Sequence, residues 1–189
     1  MNSSLQFTYK SILDRLDTES AIETIKYQFP KILGQKLNLA KISSPLAIID
    51  GTGINDDLNG IERPVNFPIK NQQEKQAVVV HSLAKWKRWQ LKEINIPVGK
   101  GILTDMRALR PDEDYSPIHS LYVDQWDWEK HILPNERTLS YLKETVEQVY
   151  AALKETELLI FEEFKDITPI LPEEITFIQS EDLLNEYPE

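Results

Sequence analysis

Apolar residues first recur at helical spacing at Ile22, Ile25, Phe29 and Leu33, behind Asp17 and Thr18, either of which suits an N-cap. Pro30 lies inside that pattern and predicts a kink or two abutting helices, and Gly34 weakens the end. Residues 37–49 read as extended, with Pro45 among them, and a proline in a strand belongs at an edge or a bulge. Residues 50–60 are dense in turn formers and read as a loop. Val65, Phe67 and Ile69 alternate with polar residues as a half-buried strand does, and residues 77–80 are a short, wholly apolar strand. His81-Ser82 then opens a helix carrying Leu83, Trp86 and Leu91 on one side. Residues 102–109 and 121–128 read as two strands joined by a polar loop, residues 110–120. The longest helix runs from residue 137 to about 164, with Leu142, Val146, Val149, Leu153 and Phe161 marking its buried stripe. A last strand over 175–178 leads into a short helix after Ser180. Strands of alternating polarity joined by loops, not by regular crossover helices, favour an α+β fold with an antiparallel sheet.

Composition narrows the classes. A chain of 189 residues with 41% hydrophobic content fits one domain with an ordinary core, so residues 1–189 are read as a single domain. The chain has no cysteine, which removes disulfides and thiolate metal sites and suits a reducing, cytoplasmic location. Met1-Asn2-Ser3-Ser4-Leu5-Gln6 has no secretory pattern, and no apolar run approaches the roughly 18 residues of a membrane helix, so no membrane partner is expected. A formal charge of −10 argues against a broad nucleic-acid surface, although a few basic residues in a cleft still suffice to hold a nucleotide.

Three constellations could carry chemistry. In Asp124-Gln125-Trp126-Asp127-Trp128-Glu129, alternation puts Gln125, Asp127 and Glu129 on one strand face and Asp124, Trp126 and Trp128 on the other. Two readings stand: a ligand site whose cationic partners satisfy a buried row of carboxylates, or a solvated face with the tryptophans turned into the core. In His81-Ser82-Leu83-Ala84-Lys85-Trp86-Lys87-Arg88, Ser82 and Lys87 can converge on one carboxylate at the start of a helix. Taken alone, the simpler reading is an N-cap serine and a solvated lysine. The acidic loop with Asp56, Asp57 and Asn59 lacks the twelve-residue calcium pattern, so a metal held by it alone is not expected. His119 stands in the loop between the two long strands, either against nucleotide phosphates or idle, and His131 is read as structural.

Taken together, Val80-His81-Ser82-Leu83-Ala84-Lys85-Trp86-Lys87-Arg88, Ala108-Leu109-Arg110-Pro111-Asp112-Glu113-Asp114 and Tyr122-Val123-Asp124-Gln125-Trp126-Asp127-Trp128-Glu129 closely resemble ammonia-dependent asparagine synthetase, the aspartate–ammonia ligase family. The resemblance runs from about Ile25 onward and implies the catalytic fold of class II aminoacyl-tRNA synthetases. It also implies formation of asparagine from aspartate, ATP and ammonia through a β-aspartyl-adenylate, with Mg2+ beside ATP and a homodimer as the working form. Ser82, Lys87, Gln125 and Asp127 are then expected to bind aspartate, and Arg110, Glu113 and His119 the nucleotide. Arg110 and Asp56 are expected to be catalytic, and Pro45 to match the proline of the dimer-forming motif.

The family's glycine-rich last motif does not occur in these residues, so the domain is expected to be incomplete at its C-terminal end. Two alternatives follow. One is an aspartate- or asparagine-specific tRNA synthetase-like enzyme, which the missing anticodon-binding domain disfavours. The other is a truncated, non-catalytic module that binds aspartate or dimerises.

Overall fold

The computed structural model describes residues 10–56 and 58–187, and these form an α+β fold. In chain order the elements are α1 (Arg15–Leu37), β1 (Leu39–Lys41), β2 (Ala47–Ile49), β3 (Asn66–Ile69), β4 (Gln72–Val79), α2 (Ala84–Glu93), β5 (Gly101–Leu109) and β6 (Tyr122–Lys130). A 3-10 turn at Pro134–Glu136, α3 (Leu139–Glu163) and α4 (Ser180–Glu186) follow. The chain resolves into two compact units, one of residues 33–142 and one of the residues up to 32 with those from 143 onward.

The 33–142 unit holds two three-stranded sheets, ordered β1-β5-β6 and β2-β4-β3. β5 and β6 pair antiparallel along their whole length, from Gly101 opposite Lys130 to Leu109 opposite Tyr122, while β1 runs parallel to β5. The second sheet is antiparallel throughout, with a register shift after Pro68. The stretch expected as one extended run, 37–49, is therefore divided between sheets. Pro45 lies between the two strands, where its missing N–H breaks no ladder. Gly101 lets three strands approach: a Cβ there would stand 2.3 Å from the Glu129 carbonyl oxygen and 2.6 Å from Leu39 Cδ2. Val80, Leu83, Met106 and Ala108 form a buried cluster, with Ile48, Trp86 and Val123 packed against it.

In the other unit several expectations need correction. The first helix begins at Arg15, and the Asp17 N–H donates to Asp14 Oδ1 at 2.8 Å, so Asp14 takes the capping role expected of Asp17 or Thr18. The helix continues through Pro30 as one element. In α3 the buried positions are Ala152, Thr156 and Ile160, while Leu142, Val146 and Leu153 are exposed. Thr156 can be buried because its hydroxyl donates to the Ala152 carbonyl at 2.8 Å, so the inner face is set by small or self-satisfied side chains and not by the apolar maximum. Residues 175–178 form no strand. The segment after α3 is held to that helix by side chains: Glu157 accepts the N–H groups of Ile170 and Leu171 at 2.7 and 3.0 Å, and Lys154 donates to the Pro172 carbonyl at 3.1 Å. Among the described residues no helix is long and apolar enough to cross a membrane.

Candidate active site

α2 is built from strong helix formers, and its first turn fixes the side chains that matter. Ser82 Oγ accepts the Ala84 N–H at 3.3 Å, and the Lys87 N–H closes on the Leu83 carbonyl at 2.8 Å. Leu83 and Trp86 join the core cluster, which turns the same flank of the helix inward at Lys87. Lys87 is fully buried and forms an ion pair with Asp127 of β6. One residue on, Arg88 meets Glu129 at 3.4 Å with its own side chain largely in solvent.

These contacts show what lies against the carboxylate face of β6. Asp127 and Glu129 face α2, and their face also carries Val123, which packs on the core. The register places Gln125 opposite the buried Met106 and Asp127 opposite the buried Thr104, whose hydroxyl donates to the Asp127 carbonyl at 3.1 Å. Asp124 lies on the other face, 3.7 Å from Arg107, and Trp126 and Trp128 are half-buried there. The carboxylate face is thus covered by α2, while on the other face Trp126 and Trp128 are half-buried, Trp128 opposite the fully buried Leu103. Lys87 is likewise a buried charge and not a solvated one. Its burial pushes the ammonium below the ordinary lysine range, against the opposite pull of Asp127 and Glu129, and Arg88 adds to the depression.

Arg110 is the first residue beyond β5, held there by its N–H to the Leu121 carbonyl at 2.9 Å. Its Nη2 reaches the His81 carbonyl at 3.4 Å, and its Nε is a buried donor with no partner among the described residues. Arg110 and Glu113 line a cleft of about 790 Å³ with Asn59, Arg63, Asp112 and Asp114. The same two residues and His119 line a second cleft of about 470 Å³, where His119 Nδ1 sits 2.8 Å from Ser116 Oγ. The three residues expected at the nucleotide therefore lie together. Asp56 is half-buried, and its neighbour Asn55 ties the loop down: Asn55 Oδ1 accepts the His81 N–H at 3.1 Å and its carbonyl accepts Lys85 Nζ at 3.3 Å. Asp57 lies outside the described residues.

Two features were not anticipated from sequence. Asp112 accepts both the Arg63 N–H, at 2.7 Å, and Arg63 Nε, at 2.8 Å. The guanidinium hydrogen bond beside it holds the Asp112 carboxyl below its usual range and raises the arginine in return. His81 is almost fully buried, and its Nε2 stands 3.3 Å from the Arg63 carbonyl. The partners are 49 and 18 residues apart, and no local pattern announces contacts of that span. His131, expected to be structural, places Nδ1 2.8 Å from the Ile96 carbonyl.

Comparison with known proteins gives three results. A family profile described as aspartate-ammonia ligase matches residues 16–189. The chain is similar to the aspartate–ammonia ligases of Parabacteroides distasonis, 51% identical over 95% of this chain and 52% of that protein, and of Clostridium perfringens strain 13, 50% identical over 96% and 54%. The chain spans about half the length of the curated relatives it matches. Among solved structures, a pyrrolysyl-tRNA synthetase from Desulfitobacterium hafniense aligns over 71% of this chain and 50% of its own, with 13% identity and a TM-score of 0.47.

Proposed function

The chain belongs to the aspartate–ammonia ligase family, and on that premise we propose that it carries the aspartate- and nucleotide-binding half of an enzyme that converts aspartate, ATP and ammonia to asparagine. The observation that carries the reading is the buried Lys87–Asp127 pair, in the same 33–142 unit as the clefts that Arg110 lines. An α-amino acid is a zwitterion, and its carboxylate and ammonium can each take the place of one member of that pair. The buried charges then stay balanced, where a ligand of one sign would leave one of them unpaired.

In the first step a β-carboxylate oxygen of aspartate attacks the α-phosphorus of ATP, the bond to the β-phosphate oxygen breaks, and pyrophosphate leaves. Arg110 supplies donors where negative charge gathers on the α-phosphate, and a guanidinium can bridge two oxygens in fixed geometry. Glu113 lines both clefts and His119 the smaller one, and the two orient the nucleotide. In the second step the ammonia nitrogen adds to the activated carbonyl carbon, its extra proton is accepted by the Asp56 carboxylate, and the carbon–oxygen bond to AMP breaks. Gln125 and Ser82 complete the aspartate-binding set with Lys87 and Asp127.

Mg2+ belongs with the triphosphate. No cluster of three metal-binding side chains occurs among the described residues, and the carboxylates of Glu113 and Asp114 in the Arg110 cleft are hard oxygen donors of the kind that holds Mg2+ by one or two contacts plus phosphate oxygens. When bound, Mg2+ would neutralise phosphate charge. The working form is a homodimer: Leu46, next to Pro45, is 58% exposed, and a second copy would cover it. Sedimentation at about 20 µM should show the dimer. Aspartate-dependent exchange of labelled pyrophosphate into ATP by the native polypeptide, followed by asparagine formation on adding ammonia, tests the reaction. Absence of exchange overturns it.

A further inference from the structure

His81 is buried to 1% exposure, and three of its polar groups are each committed to a different segment of the site. Its N–H donates to Asn55 Oδ1, beside Asp56. Its carbonyl accepts Arg110 Nη2. Its ring Nε2 meets the Arg63 carbonyl, and because a carbonyl only accepts, Nε2 must carry the hydrogen. Arg63 in turn is gripped by Asp112, two residues beyond Arg110. One residue therefore joins the loop that carries Asp56, the loop that reaches Arg63, and the segment that leaves β5 with Arg110. The backbone bonds belong to any residue at this position, but the bond to Arg63 needs a donor at the reach of Nε2.

We infer that His81 is a positioning residue: its backbone ties the Asp56 loop to Arg110, and its ring anchors the loop that reaches Arg63 to that frame, so that the carboxylate serving the amine and the guanidinium serving the α-phosphate address the same carbonyl. This rests on the function proposed above. Among the described residues no hydrogen bond runs from the ring to Lys87 or Asp127. Losing the ring's hydrogen bond lets the Arg63 loop drift, and small misplacement of reacting groups is costly in rate while leaving ground-state binding largely alone.

The test compares His81→Leu, His81→Gln and His81→Asn with the parent in the native polypeptide. Glutamine can place its amide N–H where Nε2 stands, whereas asparagine is one carbon too short. Expected for Leu and Asn is a fall in kcat of at least about tenfold, in pyrophosphate exchange and in asparagine formation alike, with KM for aspartate within about threefold of the parent. Gln should recover most of kcat. If Leu does not fold by circular dichroism, the Gln and Asn pair decides alone. The inference is overturned if Leu or Asn keeps parental kcat, if folded Gln is as impaired as Asn, or if the loss appears only in KM for aspartate. A parent without aspartate-dependent exchange overturns the proposed function itself, and a parent with exchange but indifferent variants overturns only the role of His81.

Discussion

Lys87 with Asp127 and Arg63 with Asp112 are both cation–carboxylate pairs of the 33–142 unit, yet they are built in opposite ways. The first joins a helix to a strand with the lysine fully buried; the second joins two loops with the arginine side chain 78% exposed. Burial pushes the lysine below its usual range, so the pair is held against a desolvation cost. In the exposed pair each partner is shifted toward its charged form, and water screens both. Such a difference separates two jobs. A buried pair near balance can exchange its members for the charges of a ligand, whereas an exposed pair with several hydrogen bonds fixes loop geometry without selecting a charge.

The comparison can be broken at four places. The largest effect is expected on the loop side: Asp56→Ala should slow capture of the adenylate by ammonia by about 100- to 10,000-fold while pyrophosphate release in a single turnover persists. Asparagine formation at the parental rate would make Asp56 a plain turn residue. Next, Asp127→Ala should remove about 3–5 kcal/mol of stability by leaving Lys87 unpaired, read from urea unfolding at pH 7, and should weaken aspartate binding in calorimetry far more than ATP binding.

The sign of the pH dependence follows from Lys87. Its folded pKa lies below the free value of 10.5, so the unfolded chain holds the proton longer. The stability deficit from Lys87 is thus full below the folded pKa and relieved as pH climbs from there toward 10.5. Asp127→Ala should widen that window; an unchanged alkaline profile would mean that the pair is not coupled.

Arg110→Ala comes third, with pyrophosphate exchange down about 100-fold and the unfolding midpoint unmoved. Exchange within about tenfold of the parent would remove Arg110 from the activation step. The smallest effect belongs to Asp112→Asn. The carboxyl is depressed, so its contribution is present above the free value of 3.8 and lost as pH falls through the folded pKa. Parent and variant unfolding curves should differ slightly at pH 7, merge in acid, and merge again in about 1 M salt.

What sequence could show follows the reach of each interaction. β5 and β6 were legible because alternation along a strand is local, and the Gln125-Asp127-Glu129 face was separated from the tryptophan face for that reason. That the carboxylate face is covered was not legible, because the cover is α2, which begins 38 residues earlier in the chain than β6, at residue 84 against 122. Ser82, Lys87 and Arg110 were singled out chiefly through family resemblance, since each has an ordinary solvated reading by itself. The α3 stripe was misread because apolar count favours Leu142, Val146 and Leu153, while close packing there selects Ala152 and Thr156. The segment 175–178 has strand composition, but a strand needs a partner edge, and the preceding residues 170–172 already spend backbone groups on Glu157 and Lys154.

Gly101 touches no substrate in the reaction proposed, and it lies at the far end of β5 from Arg110. Still, a methyl group there would collide with the Glu129 carbonyl and the Leu39 side chain, and β6 would have to move outward to admit it. Asp127 is carried on that same strand, opposite Thr104, three positions along the ladder from Gly101. The spectrum of tolerated variation at the site is therefore set partly by a residue with no side chain. In a mutational scan, Gly101→Ala should cluster with changes to Asp127 and not with its neighbours in the sequence.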